Sequence, residues 1–196
     1  FVALCDGKGG GRYRDMLGFP HVRYFAGEPK STLSVLAWAM REVEERKRDG
    51  IAGKPEVYLF IDEIKEIVET TGGEDGAAVQ AIERVASIGR EFNVHVIIAT
   101  QHPTKDVLGS RLTVTNLPLR IVGKVTDASA STLASGVAGL NAHMLTGQGD
   151  LIMNAMDGLR FQAALLQAAD LEAFPRTSNP LPLPDMDIER VLGVTG

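Results

Sequence analysis

Cysteine is almost absent from this chain, with Cys5 the only one in 196 residues. One thiol cannot close an internal disulfide, which excludes a crosslinked secreted scaffold and points to a reducing compartment. Cys5 itself reads as a small core residue at a strand end. Aromatic residues are scarce as well, at 6% with a single tryptophan. No apolar run approaches the roughly 20 residues that span a bilayer. No basic-then-apolar leader stands at the start. The chain opens on Phe1-Val2-Ala3-Leu4-Cys5, a strand-like run without an initiating methionine. The expectation is therefore that the true N-terminus lies upstream, together with any targeting signal or membrane anchor. A basic surplus is also missing: 20 Lys and Arg stand against 25 Asp and Glu, a net charge of −5. That excludes a simple DNA-coating protein, but not one that touches DNA through a few loops. The four histidines, His21, His95, His102 and His143, are scattered without zinc spacing. No nucleophile elbow is present either, so no covalent catalysis is assigned.

What is present is a chain with 44% hydrophobic residues, ample for a buried core. Short β-branched runs alternate with segments of helical period, which predicts an α/β fold with a mostly parallel sheet. A strand over Phe1–Cys5 enters the glycine-rich turn Asp6-Gly7-Lys8-Gly9-Gly10-Gly11. A helix is expected over Ser31–Lys47, with Ser31 as N-cap and Leu33, Leu36, Ala37, Met40 and Val43 on one face. Trp38 lies off that stripe, at a rim or interface, and the mixed charges of Arg41–Arg48 read as a solvated face. The strand Val57–Ile61 ends at Asp62-Glu63 and leads into a helix reaching about Glu69. A loop over Thr70–Gly76 precedes an amphipathic helix over Ala77–Arg90. The strand Val94–Ala99 leads to Thr100-Gln101-His102-Pro103. Another strand is expected over Leu119–Val125, and a hairpin joins Leu151–Asn154 to Leu159–Leu166. Residues 1–174 thus read as one domain. Residues 175–196, with Pro175, Pro180, Pro182 and Pro184, read as a linker or edge-hugging tail ending in a short helix.

The chemistry concentrates where two buried strands end. A parallel strand delivers its C-terminal residues to the sheet edge where open α/β sheets bind ligands. Asp62-Glu63 there match a Walker B pair: Asp62 would hold magnesium through water, and Glu63 would polarise an attacking water. Acids also follow strands because they begin helices well, so the pair alone leaves that reading open. At the next strand end, the Gln101 carboxamide is placed to sense a terminal phosphate and the lytic water. It can equally satisfy loop backbone groups before Pro103.

Several stretches fall in an order that points to one family. They are Cys5-Asp6-Gly7-Lys8-Gly9-Gly10, Phe19-Pro20-His21, Leu36-Ala37-Trp38-Ala39-Met40, Asp62-Glu63, Ala99-Thr100-Gln101-His102-Pro103, Asn116-Leu117-Pro118-Leu119-Arg120 and Gly147-Gln148-Gly149-Asp150-Leu151. Together they resemble the FtsK/SpoIIIE family of DNA translocases, and more distantly the HerA group, over roughly residues 1–166. The resemblance implies a RecA-like, P-loop NTPase type sheet with helices on both faces. It implies ATP and Mg²⁺ as cofactors in the intact protein and double-stranded DNA as partner. It also implies a homo-oligomeric ring, hexameric in the intact protein, in the cytoplasm or at the cytoplasmic face of the membrane. Catalytic roles fall on Glu63 and Gln101 within the subunit and on Arg120 reaching a neighbour's nucleotide. Nucleotide contacts fall on Asp62, Thr100, Gly147 and Gly149, with Asp62 toward magnesium. DNA contacts fall on Thr71, Gly72, Lys105 and Arg111. A strand-end Arg120 paired with a surface acid is the competing reading, and Lys105 and Arg111 also read as ordinary surface charges.

The departures are as informative. The Walker A loop Gly-x-x-x-x-Gly-Lys-Ser/Thr of the family precedes the strand that opens this chain. Gly7-Lys8 is followed by Gly9, so the turn is not a disguised phosphate loop, and Arg12 occupies the third glycine position of a Rossmann fingerprint. The family's proline is Gly7 here, and its Asp-Ser-Arg triplet is Ala128-Ser129-Ala130. The loop facing the pore carries Glu74 and Asp75 where relatives are often basic. The expected sheet lacks its central phosphate-loop strand. Either Val94–Ala99 pairs directly with Leu119–Val125, or a second copy of the chain fills the gap. The function expected is part of an ATP-driven DNA translocase motor, inactive alone and without tight nucleotide binding. The alternatives are a non-catalytic partner-binding module and a motor of a related secretion or conjugation system.

Overall fold

The computed structural model describes residues 1–9, 11, 13–101, 117–155, 157–176 and 179–192. The chain forms two compact units: Phe1–Gln101 with Leu171–Gly196, and His102–Asp170.

The first unit is built on four parallel strands: β1 (Val2–Asp6), β2 (Val22–Ala26), β3 (Val57–Asp62) and β4 (Val94–Ala99), in the spatial order β2-β1-β3-β4. Register aligns Ala3 with Leu59 and Cys5 with Ile61, and those two with Val96 and Ile98. Side chains alternate across a strand, so one face gathers Ala3, Cys5, Tyr24, Val57, Leu59, Ile61 and Val94, all buried. Helices α1 (Thr32–Asp49) and α3 (Ala77–Ile88) pack on each other and against the strands, with α2 (Ile64–Thr70) following β3 directly. The opposite face carries Tyr58 and Ile97, which remain exposed.

Helix α1 departs from its sequence reading in three ways. Its buried set is wider than one stripe, running without a break from Val35 to Met40 and including Trp38. Trp38 is a core residue, tilted against Tyr24 at 4.8 Å and Phe1 at 5.9 Å between ring centroids. Ser31 stands at the N-cap position, but its side chain makes no capping bond to the helix. It already has helical dihedrals (φ −67°, ψ −19°) and instead donates its hydroxyl to the Glu28 carbonyl while accepting the Glu28 amide. Within the charged stretch read as solvated, Arg46 is 1% exposed. Its guanidinium donates to Glu42 at 2.8 Å and to the carbonyls of Phe92, Asn93 and Pro55. It ties α1 to the turns flanking β3 and β4, and a forked, permanently charged donor set is what that geometry requires.

The tail packs with this first unit. Leu181 donates its amide to the Arg23 carbonyl of β2, Phe19 meets Phe174 edge-on, and the last helix, Ile188–Leu192, lies against α1 and α3.

The second unit holds a three-stranded antiparallel sheet of β5 (Ile121–Val122), β6 (Asp150–Met153) and β7 (Leu159–Gln162), in that order. Its core is Val122, Ala142, Leu145 and Ile152. Helix α4 (Ala128–Ser135) is capped by Asp127, which accepts the Ala130 amide, and stops at Gly136 with φ 73°. A five-residue helix, α5 (Ala168–Glu172), follows at the unit boundary.

Direct pairing of Val94–Ala99 with residues 119–125 is not found. The second segment yields a two-residue strand paired antiparallel with β6. The reason is local. Within the second unit Val122 closes the core with Ile152, and Asn154 clamps the strand's entry. The Asn154 side chain accepts the Arg120 amide at 2.9 Å and donates to the Pro118 and Ser135 carbonyls. Among the described residues no strand pairs with the outer edge of β4.

Arg46→Ala would remove the donor of the Glu42 carboxylate and of the Phe92 and Pro55 carbonyls, and it is expected to destabilise the chain by about 3 kcal/mol. Arg46→Lys should recover only a small part of this loss, since one ammonium cannot reach four acceptors. Urea unfolding of the two variants measures both.

Candidate functional site

The register of β1, β3 and β4 determines what meets at their C-terminal ends. Asp6 sits beside Asp62, and Asp62 beside Ala99, so Asp6, Asp62-Glu63 and Thr100-Gln101 reach one sheet edge together. β3 does not run smoothly into α2. Glu63 takes left-handed dihedrals (φ 52°, ψ 57°), a conformation that costs a non-glycine residue about 1–3 kcal/mol.

That turn drives the Glu63 side chain inward, where it is 2% exposed. Its Oε1 accepts the Thr100 hydroxyl at 3.3 Å and the Gln101 amide at 3.2 Å. Its Oε2 lies 3.0 Å from the Lys8 ammonium. Burial pushes the carboxyl up, but the Lys8 ammonium, the Gln101 amide and the Thr100 hydroxyl outweigh it and hold Glu63 below the usual glutamate range. A buried carboxylate is thus kept ionised, the state a proton acceptor needs.

Asp62 is 8% exposed, and its Oδ2 accepts the Tyr13 hydroxyl at 2.6 Å. The Tyr13 ring meets Phe60 of β3 edge-on at 6.4 Å. Asp6, also buried, accepts the amides of Lys8 and Gly9 through Oδ1, each at 3.1 Å, closing the turn after β1. Those amides are therefore spent on Asp6 and form no phosphate cradle.

Gly7 is required by proximity. Its amide donates to the Asp62 carbonyl at 2.9 Å, and a Cβ there would lie 2.4 Å from the Glu63 carbonyl oxygen. Proline, which stands at this position in the pattern the chain resembles, has neither the N–H nor the room. Cys5, fully buried one residue before Asp6, has its thiol pushed up to about 12 by burial and serves as packing.

The structure brings Glu63, Asp62, Thr100 and Gln101 to the same edge. Thr71 and Gly72 follow α2, where the Thr71 hydroxyl donates to the Ile67 carbonyl and Gly72 adopts φ 106°. The acidic Gly73–Asp75 segment forms a single 3-10 turn. Lys105 and Arg111 lie outside the described residues. Arg120, Gly147 and Gly149 belong to the second unit. The Arg120 guanidinium lies against Gly136, where a Cβ would come within 2.6 Å of Nη1, and burial pulls it below the usual guanidinium range. Gly147 and Gly149 flank Gln148, all three at positive φ, in a loop held by Asp150. Asp150 accepts from Thr146 and takes the Arg160 fork at 2.8 and 2.6 Å.

Sequence reasoning missed Lys8 and Tyr13. Lys8 had a readable signal: two residues past Asp6, it falls beside Glu63 once β1 and β3 are aligned. Tyr13 had none.

The donor chemistry fits part of a magnesium–nucleotide site. Asp62 offers a carboxylate suited to a water-held magnesium, and Glu63 with Gln101 suits a polarised water. The phosphate-cradling half has no counterpart among the described residues. Gly7→Ala is expected to destabilise the chain by about 1–3 kcal/mol through its clash with the Glu63 carbonyl. Thermal unfolding checks this, and an unchanged melting temperature would contradict the close approach.

No family model matches the chain. Among curated proteins it is 28% identical over 171 residues to the DNA translocase FtsK of Leptospira interrogans, covering 74% of this chain and 17% of that protein. It is 26% identical over 189 residues to the DNA translocase FtsK of Mycobacterium tuberculosis, covering 80% and 22%. A third relative, the DNA translocase FtsK of Helicobacter pylori, is 34% identical over 109 residues, covering 56% and 12%. The chain spans about a fifth or less of the length of these relatives. Among solved structures, the cytoplasmic domain of the type VII secretion ATPase EccC of Thermomonospora curvata superposes with a TM-score of 0.73 at 19% identity, over 95% of this chain and 25% of that one. The conjugation coupling protein TcpA, solved with ATPγS, superposes with a TM-score of 0.65 at 19% identity, over 83% and 51%. The fold is that of RecA-like ATPase motor domains.

Proposed function

Because this chain is a relative of the FtsK/SpoIIIE DNA translocases, we propose that it serves in an ATP-driven motor that moves double-stranded DNA. The observation that carries the reading is Glu63: buried, conformationally strained, beside the Lys8 ammonium and bonded to the end of the neighbouring strand, directly after Asp62.

Bound Mg–ATP would supply the phosphoryl group and the metal charge. Asp62 would hold a magnesium-bound water, Glu63 would accept the proton of the attacking water, and Gln101 would orient that water. Thr100 keeps Glu63 aimed. Arg120 would act on a neighbouring subunit's nucleotide, in a ring of six copies, and Gly147 and Gly149 would border that nucleotide. Thr71 and Gly72, with Lys105 and Arg111, would meet the DNA backbone, Thr71 and Gly72 through backbone amides more than through charge. The motor would work in the cytoplasm, or at the cytoplasmic face of the membrane if an upstream segment anchored it. No helix among the described residues is long and apolar enough to cross a membrane. The cargo would be chromosomal or transferred DNA.

The motif Gly-x-x-x-x-Gly-Lys-Ser/Thr does not occur in these 196 residues. The chain by itself is therefore expected to bind a non-hydrolysable ATP analogue with magnesium too weakly for calorimetry, and to show no turnover. In the presence of a segment supplying that loop, binding should appear and weaken on Asp62→Ala. Turnover should fall by about 10²–10⁴ on Glu63→Gln, the usual worth of a general base. Tight binding by the chain alone, lost on Asp62→Ala, would mean that the turn after β1 cradles phosphate after all.

A further inference from the structure

Glu63 gets little support from its own surroundings in sequence. Its left-handed backbone sets it apart from both β3 and α2, so its side chain is fixed by its neighbours. Two of them, Thr100 and Gln101, approach from the end of β4 and occupy Oε1. A carboxylate oxygen offers two lone-pair directions, and both on Oε1 are then in use. Oε2 is the oxygen left to take a proton, and the Lys8 ammonium lies 3.0 Å from it, arriving from the end of β1. Oε2 is enclosed, while the Lys8 side chain is 41% exposed. The same turn supplies Tyr13, whose hydroxyl holds Asp62 at 2.6 Å.

We propose that Lys8 is a positioning residue for Glu63, drawing Oε2 toward the β1 side by the attraction of its ammonium. The proposal rests on Glu63 acting as the base for hydrolysis. The turn after β1 then has a task beyond reversing the chain: Lys8 aims the proton acceptor and Tyr13 aims the magnesium-facing carboxylate. Gly7 lets both happen, because its close approach to the Asp62 and Glu63 carbonyls brings the turn over the acidic pair. Lys8 would contribute no atom to the reaction. It would fix where the reacting oxygen sits, and a misplacement of about 1 Å can cost as much as 10²-fold in rate.

Two measurements test this. The first uses the chain itself: unfolding of Lys8→Met, Glu63→Gln and the double variant in a thermodynamic cycle. Strong coupling is expected, the double variant being no less stable than the worse single one, with Lys8→Arg close to the parent. Independent, additive effects would overturn the pairing. The second uses ATP turnover of the full-length protein. Lys8→Met is expected to lower kcat about 10-fold or more with KM within about 2-fold, and Lys8→Arg should restore most of it. Tyr13→Phe should give a smaller loss of kcat. An unchanged or raised kcat in Lys8→Met would overturn the positioning role, as would a loss that Lys8→Arg does not rescue. Absence of turnover in the parent protein would sink the hydrolytic reading and the positioning role built on it, while the unfolding cycle would still report the ion pair.

Discussion

The placement of β3 between β1 and β4 is the constraint on which the site depends. Parallel pairing in this register brings three strand ends to one edge. The Lys8–Glu63–Thr100/Gln101 bridge then spans all three strands at that edge. A slip of one residue in either pairing would turn Asp62 to the opposite face and separate Glu63 from its donors. The register is itself enforced by burial. Ala3, Leu59 and Ile61 are all fully buried under α1 and α3, and a slip would expose them. Hydrophobic packing on one face thus fixes the electrostatics at the end of the sheet.

Much of this was legible in the chain because its signals are local. The strands β1, β3 and β4 show as apolar runs, α1 and α3 as helical periods, and the β6–β7 hairpin as two runs around Asp157-Gly158. Strand β2 went unread although Val22, Tyr24 and Ala26 alternate inward, because Arg23 interrupts a run of only five residues. The contacts that define the site are of another kind. Tyr13 reaches Asp62 across 49 residues, and Arg46 reaches Asn93 across 47. No periodicity encodes such pairs. Arg46 shows the limit clearly: among Arg41–Arg48 nothing in composition separates the buried guanidinium from its solvated neighbours.

Among the described residues the far edge of β4 has no partner strand, and the sequence holds no phosphate-loop motif. A parallel sheet is ordinarily covered and paired on both sides of its central strands. Here β4 has one described partner, and Tyr58 and Ile97 on one face are exposed. The segment of residues 119–125 was a candidate to close that edge, yet it pairs with β6, where Val122 finds a core within its own unit. Packing rather than proximity decides this, since β5 lies no nearer to β6 than to β4 along the chain.

The energetics of Glu63 argue for a function over a structural role. A buried ion pair is a poor route to stability, because desolvation offsets most of the attraction. A glutamate in the left-handed region adds a further cost of about 1–3 kcal/mol. A sequence selected only for stability would place a glycine or asparagine at such a turn and an apolar side chain in such a pocket. This one keeps a carboxylate there, ionised, with donors from both neighbouring strands, at the edge where parallel sheets meet their ligands. Two unfavourable features on one residue, each turned toward the same sheet edge, are what packing alone would eliminate.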